Sequence, residues 1–307
     1  MRYLITGAAG FIGSHLTTHL ESQGHTVIGY DIRRGHMTQT GSVLNADLLD
    51  SWVSRVDAVF HLASVVGFAT VMKDPIRTIE TSILGTTNVL RACLHHGKSL
   101  LMTSTSAVYG RTTDDQRPVQ ETDPIRLGPP SVRSWCYAYA KAADECLALA
   151  YHQERGVPVA IVRLFNVVGP RQNGAAGFVL PRFIEAAKRN QPLYVHAPGT
   201  QTRTLGHVQD IVGGLAQLMD CPEAQGEIVN LGGTETIGMY TLAERVRNYL
   251  DSSSAIEIVP DPYGKGYENV AHRKPDLRKA ERLIGYRPQR DLDTMIADVA
   301  ANCEARV

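Results

Sequence analysis

Eight residues near the start of the chain, Thr6-Gly7-Ala8-Ala9-Gly10-Phe11-Ile12-Gly13, limit the fold more than any other stretch. They follow Arg2-Tyr3-Leu4-Ile5, apolar enough for a buried parallel strand, and they lead into a pattern that predicts a helix over about residues 11–22. A strand, a glycine turn and a helix start in direct succession aim free backbone amides and the positive helix end at one point. The glycines serve the sharp turn, the close approach of a ligand and the packing of helix on sheet. A pyrophosphate is the expected occupant, which makes Gly7, Ala9, Gly10, Phe11, Ile12 and Gly13 candidate cofactor-binding residues.

A second apolar run, Thr26-Val27-Ile28-Gly29-Tyr30, ends in Asp31, roughly twenty residues beyond the turn. A carboxylate there accepts hydrogen bonds from adenosine ribose hydroxyls and repels a 2′-phosphate, so NAD is favoured over NADP, with Arg33 and Arg34 offsetting part of the repulsion. Val43-Leu44-Asn45-Ala46 reads as a third strand, placing Asp47, with Leu48 beside it, to reach an adenine. Residues 57–63 read as a fourth strand whose end at Leu62-Ala63 suits a backbone close to the cofactor, with His61 a packed strand histidine. Apolar positions at helical spacing over about 75–96 predict a long crossover helix, followed by a fifth strand over 98–102.

Residues 111–134, rich in proline, glycine and charge, read as a long functional loop. A helix to about residue 155 and a sixth strand over 158–164 follow. Strand alternating with helix predicts an α/β, doubly wound parallel sheet, the Rossmann arrangement, covered on both faces. Beyond residue 168 the elements shorten, at about 178–190, 193–195, 207–220, 227–230, 240–251 and 291–303. The expected division is a cofactor-binding domain over 1–168 and a smaller α/β, mainly substrate-binding domain over 169–307, with some segments returning to the first.

Thirty-one basic and thirty-one acidic residues cancel, so no electrostatic footprint for nucleic acid or an anionic membrane shows in the total. No stretch of eighteen apolar residues exists, and the first strand starts at once, so a cytoplasmic protein is expected. The five cysteines are scattered without paired spacing, which indicates neither a disulfide framework nor a metal site.

Tyr137 and Lys141 lie four apart on the helix that follows the loop, so both project from one face. A free tyrosine titrates near pH 10, and making it a base at neutral pH takes roughly three units, or about 4 kcal/mol, which Lys141 and a positive nicotinamide ring are expected to supply. Thr105, at a hydroxyl-rich strand end, is placed to hydrogen-bond the reacting hydroxyl, with Ser104 and Ser106 as its neighbours.

Along nearly its whole length the chain resembles the extended short-chain dehydrogenase/reductase family, in its nucleotide-sugar epimerase and dehydratase branch. The resemblance is carried by Thr6 to Gly13, His61-Leu62-Ala63, Gly85-Thr86, Ser104 to Gly110, Tyr137 with Lys141, and Arg163 to Gln172. In the second half it is carried by Gly199 to Arg203, His207 to Asp210, Asn230-Leu231-Gly232, Arg273 to Asp276, and Leu283 to Pro288. It implies Tyr137 as the base, Lys141 as ribose ligand and phenolate stabiliser, and Thr105 and Ser106 at the sugar. It further implies Asn166, Arg203 and Arg273 on the diphosphate, and Val179, with Leu180, under the base. Ser82 stands where many relatives carry asparagine, which puts in question a hydrogen bond near the active-site lysine. Relatives also pair the two long helices in a homodimer.

The expected activity is NAD-dependent 4-epimerisation of a nucleotide sugar through a transient 4-keto intermediate. UDP-glucose/UDP-galactose is the first candidate pair, with UDP-glucuronate/UDP-galacturonate second and the N-acetylhexosamine pair behind it. The reason is an absence, since dehydratases of the family carry an aspartate and a glutamate directly after the catalytic threonine and decarboxylases usually keep the glutamate, whereas here Ser106 and Ala107 stand there. Glu121 or Asp123 from the loop is the alternative source of an acid, which keeps UDP-glucuronate decarboxylation and 4,6-dehydration as alternatives. A simple reductase conflicts with the Arg203 and Arg273 motifs, and a non-catalytic NAD(P) sensor conflicts with an intact Tyr137 and Lys141.

Overall fold

The computed structural model describes residues 1–35, 38–111, 117–172, 174, 177–262, 264–268 and 270–303. In chain order the elements of the first half are β1 (Arg2–Thr6), α1 (Phe11–Ser22), β2 (Thr26–Asp31), β3 (Thr38–Thr40), α2 (Ala46–Val53), β4 (Ala58–His61), α3 (Phe68–Lys73), α4 (Pro75–His96), β5 (Ser99–Thr105), α5 (Cys136–Arg155) and β6 (Val159–Leu164). The second half adds β7 (Val167–Val168), α6 (Val179–Lys188), β8 (Leu193–His196), β9 (Thr202–Thr204), β10 (Gly206–His207), α7 (Val208–Met219), β11 (Ile228–Leu231), β12 (Thr236–Gly238), α8 (Met239–Tyr249), β13 (Ile256–Val259), α9 (Arg278–Ile284) and α10 (Leu292–Cys303).

Seven strands form one parallel sheet in the order β11-β6-β5-β4-β1-β2-β3. Their side chains are buried almost without alternation, four in a row in β4 and five in a row in β6, because helices cover both faces. Leu16 and Leu20 of α1 and Val208, Ile211 and Leu215 of α7 pack on one face. Leu49 of α2, Val89 and Leu90 of α4 and Ala148 of α5 pack on the other. The second half therefore gives β11 and α7 to the main sheet, and keeps its own core of Leu180, Phe183, Leu193, Leu242, Val246, Ile296 and Val299.

The long crossover helix is punctuated at both ends. Asp74 caps α4 by accepting from Arg77 N, Pro75 occupies its first turn, and Gly97 closes it in a left-handed conformation.

One expected strand is displaced. Residues 43–46 form no strand; Thr38–Thr40 pairs with β2 at the sheet edge instead. Val43 turns into the core against α4, and its carbonyl accepts a hydrogen bond from Asn88 Nδ2 at 2.9 Å. Asn45 caps α2 by accepting from Leu48 N at 3.1 Å. A polar triplet suffices for an edge strand, which needs only backbone partners on one side, so the apolar run was free to serve packing. Asp47 consequently lies exposed in the first turn of α2, with Leu48 half-buried beside it.

Candidate functional site

The strand order reverses between β1 and β4, and the crevice beyond their carboxyl ends is where such sheets bind ligands. The glycine turn closes it. Gly7 has φ +77, and a Cβ there would stand 2.8 Å from the Ala63 backbone nitrogen, so only glycine lets the turn lie against the end of β4. Thr6 Oγ1 accepts from Ala63 N at 3.2 Å and bonds His61 Nδ1 at 2.7 Å, which ties the two strand ends together. Burial pushes His61 down to about 3, so it is a neutral packed histidine. No side chain caps α1, and its first turn carries no acid, which leaves the amides of Phe11, Ile12 and Gly13 facing the crevice. Asp31, buried at the end of β2, accepts from Ala9 N at 3.0 Å and from Arg33 N at 2.9 Å. The Arg33 guanidinium folds back to donate to Ala9 O at 2.7 Å. A glycine cradle, an uncapped helix and a buried carboxylate at the next strand end fit a dinucleotide.

Tyr137, in the first turn of α5, points its hydroxyl toward Ser64 and Thr105. Burial raises its pKa to about 12, while those two hydroxyls hold it down against a contribution from Asp144 in the raising direction. Lys141, expected to help the phenol, is paired with a carboxylate. Lys141 is buried, with its ammonium 3.4 Å from Asp144 Oδ2. That carboxylate is in turn held by Ser82 Oγ at 2.6 Å. Ser82 therefore does reach the lysine region, through Asp144. Ser64 Oγ is buried directly beside the phenol.

The neighbours of Thr105 have structural work. Thr105 Oγ1 accepts from Ala107 N at 3.2 Å, and Ser106 is buried in the single turn that follows β5. Ser104 Oγ donates to Glu145 Oε1 at 2.5 Å, and the same carboxylate takes two hydrogen bonds from Arg163, at 2.9 and 2.7 Å. Arg163 stacks 4.6 Å above the Tyr109 ring, and the Tyr109 hydroxyl donates to Asn230 Oδ1 at 2.7 Å. This buried network fastens β5, α5, β6 and β11 into a rigid floor.

Above that floor a cleft of ≈ 210 Å³ is lined by Val66, Ala107, Trp135, Tyr137, Arg203, Tyr267, Glu268 and Arg273, among others. Burial first, and the neighbouring Arg203 cation second, push the Arg273 guanidinium down to about 9. Its Nε is buried with no hydrogen-bond partner. Arg203 donates to Thr202 O at 2.7 Å and to Ala271 O at 3.4 Å. Two guanidiniums at the wall of one cleft are what a diphosphate neutralises.

Among the described residues that line the cleft, Glu268 is the sole carboxylate. Arg111 engages both of its oxygens, at 2.6 Å from Nη2 to Oε2, and holds it below the usual carboxylate range, with Trp135 Nε1 adding a bond at 3.3 Å. The acid expected from the loop does not come either. Glu121 Oε1 accepts from Asn230 N at 2.8 Å, and Asp123 is held by Arg117 and Gln120, because both residues fasten the loop in place.

Three expected residues lie off this cleft. Asn166 is half-buried after β6 with its carbonyl bound to Gly206 N. Val179 opens α6 against the C-terminal core, in which Leu180 is fully buried, so Leu180 is a packing residue. Conversely, sequence reading missed Ser64, Arg111, Trp135, Tyr267 and Glu268. Arg111 and Glu268 are 157 residues apart, and no local pattern announces such a pair.

The sequence matches the model of the NAD-dependent epimerase/dehydratase family over residues 3–232. The chain belongs to that family, as an NAD-dependent enzyme of its nucleotide-sugar branch. It is 38% identical over 302 residues to a UDP-N-acetyl-α-D-glucosaminuronate decarboxylase of Bacillus cytotoxicus, covering 94% of this chain and 92% of that one. It is 35% identical to UDP-glucuronic acid decarboxylase 2 of Arabidopsis thaliana, of which it spans 65%. Among solved structures, UDP-glucuronic acid 4-epimerase from Bacillus cereus, in complex with UDP-glucuronic acid and NAD, is similar with a TM-score of 0.87 at 26% identity, over 100% of both chains. Among the described residues no helix is long and apolar enough to cross a membrane.

Proposed function

We propose that this enzyme oxidises carbon 4 of a nucleotide-bound uronic sugar and that the resulting 4-keto acid loses its carboxyl group as CO2. The observation that carries the reading is the charge of the cleft. Elimination of water across carbons 5 and 6 needs an acid and a base there. The cleft offers the Ala107 methyl and a Glu268 already committed to Arg111. A carboxylate β to a ketone leaves as CO2 without either, and only the later protonation of carbon 5 draws on an acid. Its carbon–carbon bond breaks toward the carbonyl, CO2 departs, the electron pair becomes an enolate at the carbon 4 oxygen, and carbon 5 takes up a proton from water; return of the hydride to carbon 4 would then give the nucleotide pentose and restore NAD. The curated relatives support decarboxylation over the epimerisation that the sequence alone suggests, and the missing glutamate is a weaker obstacle to it than to dehydration.

In this reading Tyr137 takes the proton of the carbon 4 hydroxyl and Thr105 and Ser64 hold the same oxygen. Burial alone holds this phenol protonated at neutral pH, so its role as base would depend on the positive nicotinamide ring of bound NAD to favour the phenolate. Arg203 and Arg273 hold the diphosphate; Asn166, expected with them, and Val179, expected under the base, lie outside the lining of this cleft. Gly7, Ala9, Gly10, Phe11, Ile12, Gly13, Asp31, Asp47, Leu48, Leu62, Ala63 and Lys141 hold the dinucleotide. Bound NAD supplies the hydride acceptor and a positive ring near the phenol. We also infer a homodimer through α4 and α5, supported by the exposed Ile76, Ile79, Leu84 and Leu94 on α4, which light scattering tests.

The deciding experiment is incubation with UDP-glucuronate and UDP-N-acetylglucosaminuronate labelled with carbon-13 at carbon 6, followed by NMR and mass spectrometry. Labelled CO2 and a nucleotide pentose are expected. A product of unchanged mass with an inverted carbon 4 hydroxyl establishes instead the second reading, 4-epimerisation, which the absence of a free acid for carbon 5 favours. Loss of water from the sugar sinks both.

A further inference from the structure

The carboxyl end of α4 carries two consecutive histidines, and both turn toward one carboxylate of α2. His95 Nδ1 lies 3.2 Å from Asp50 Oδ1, and His96 Nε2 lies 3.0 Å from Asp50 Oδ2. Adjacent helical residues point about 100° apart, yet these two rings are stacked at 4.3 Å between centroids with a 33° tilt. One potential ligand atom from each of the three residues falls within 4.8 Å of the others. We propose that Asp50, His95 and His96 form a surface site for one divalent transition-metal ion of borderline softness, with zinc as the representative, completed by water.

The spacing favours an ion. Zinc bonds of about 2.0–2.1 Å to nitrogen and oxygen place the ligand atoms of a tetrahedron about 3.3–3.4 Å apart. Each histidine nitrogen already lies within a few tenths of an ångström of that edge from one oxygen of the Asp50 carboxylate, His95 from Oδ1 and His96 from Oδ2, so a small shift brings both nitrogens and one oxygen around an ion. Two imidazoles and a carboxylate are a donor set for zinc, copper or nickel and a poor one for calcium or magnesium, which prefer all-oxygen shells. The surroundings carry the right sign. Asp50 lies in the last turn of α2 and His96 ends α4, so the negative ends of two helices meet at the site. Access is open, because the His95 side chain is 71% exposed and that of Asp50 38%.

The site is remote from the chemistry. α2 and α4 run into β4 and β5, so their carboxyl ends lie at the amino edge of the sheet, opposite the cofactor crevice. A metal there would clamp α2 to α4 and add stability without entering the reaction.

The test uses the full chain after chelator treatment and dialysis, titrated with zinc alone and, separately, with cobalt. One equivalent is expected to bind, and to raise the melting temperature. The cobalt spectrum should show weak nitrogen/oxygen d–d bands without the thiolate charge-transfer absorption that cysteine binding would give. The His95→Asn/His96→Asn double variant should lose that equivalent, since even an outer-shell change costs about tenfold or more in metal affinity. Circular dichroism and NAD binding of the variant establish that it is folded. Retention of the same stoichiometry and affinity in the double variant overturns the proposal, as does a thiolate spectrum, or the absence of any equivalent in the wild type.

Discussion

The glycine turn after β1 and the Arg203–Arg273 pair in the cleft both present positive potential to an anion, the first with backbone dipoles and the second with full charges. The turn is made of groups that any helix start would leave open, so holding it ready costs the fold little. The arginines are different. A buried guanidinium beside a second cation is destabilising until an anion arrives, which is why Arg273 is pushed down to about 9. In the proposed function, the contrast is between a cofactor that rests on neutral backbone and a substrate that is met by charges gaining most from its arrival.

Tyr137 stands where the two regions meet, and removing its hydroxyl should leave both anion sites intact. Tyr137→Phe is expected to bind NAD and UDP as the wild type does and to lose at least about a hundredfold in turnover. Near-normal turnover, measured by product mass spectrometry, sinks its assignment.

Arg273→Met separates the two regions directly. UDP affinity should fall by about thirtyfold or more, in line with the 2 kcal/mol or more that truncating a buried charge partner costs, while NAD affinity holds. The melting temperature of the unliganded variant should stay level or rise, because a strained cation has gone. Calorimetry with UDP and thermal melts check both halves; a lower melting temperature with unchanged UDP affinity would refute the contrast.

The same asymmetry predicts a pH effect of known sign. The folded value for Arg273 lies below its unfolded 12.5, so the protonated side chain destabilises the fold below about pH 9, and this cost fades as pH rises through 9. In the proposed function, UDP binding needs that proton. Affinity for UDP should therefore weaken above about pH 9, by up to about tenfold per pH unit, with a backbone-held NAD far less affected over the same range.

The smallest effect belongs to Asp31→Ala, which removes the carboxylate proposed to face the ribose. The NAD-over-NADP preference should relax by about tenfold, about 1.4 kcal/mol. A wild type that binds NADP more tightly than NAD contradicts the reading of Asp31.

Most of the fold is legible in the chain because its signals are local. The strand, turn and helix over residues 2–22, the capped helix over 75–96 and the apolar run over 159–164 each depend on neighbours a few residues away. The third strand was misplaced for the converse reason, since whether Val43 or Thr38–Thr40 pairs with β2 depends on α4 lying over Val43. Family motifs likewise brought Tyr137, Arg203 and Arg273 together in thought before the cleft brought them together in space.

The sequence by itself determined the kind of protein: a doubly wound sheet with a dinucleotide turn, and a tyrosine and lysine on one helix face. Tertiary structure alone decided the charge state of the site. Lys141 spends its charge on Asp144, Glu268 is claimed by Arg111 from 157 residues away, and Glu121 and Asp123 are bound into the loop that the sequence offered as a source of acid. The physical reason is that residue types and their spacing survive in the chain as written, whereas a proton affinity depends on burial and on which charges lie within a few ångströms, and those are set only when distant segments meet.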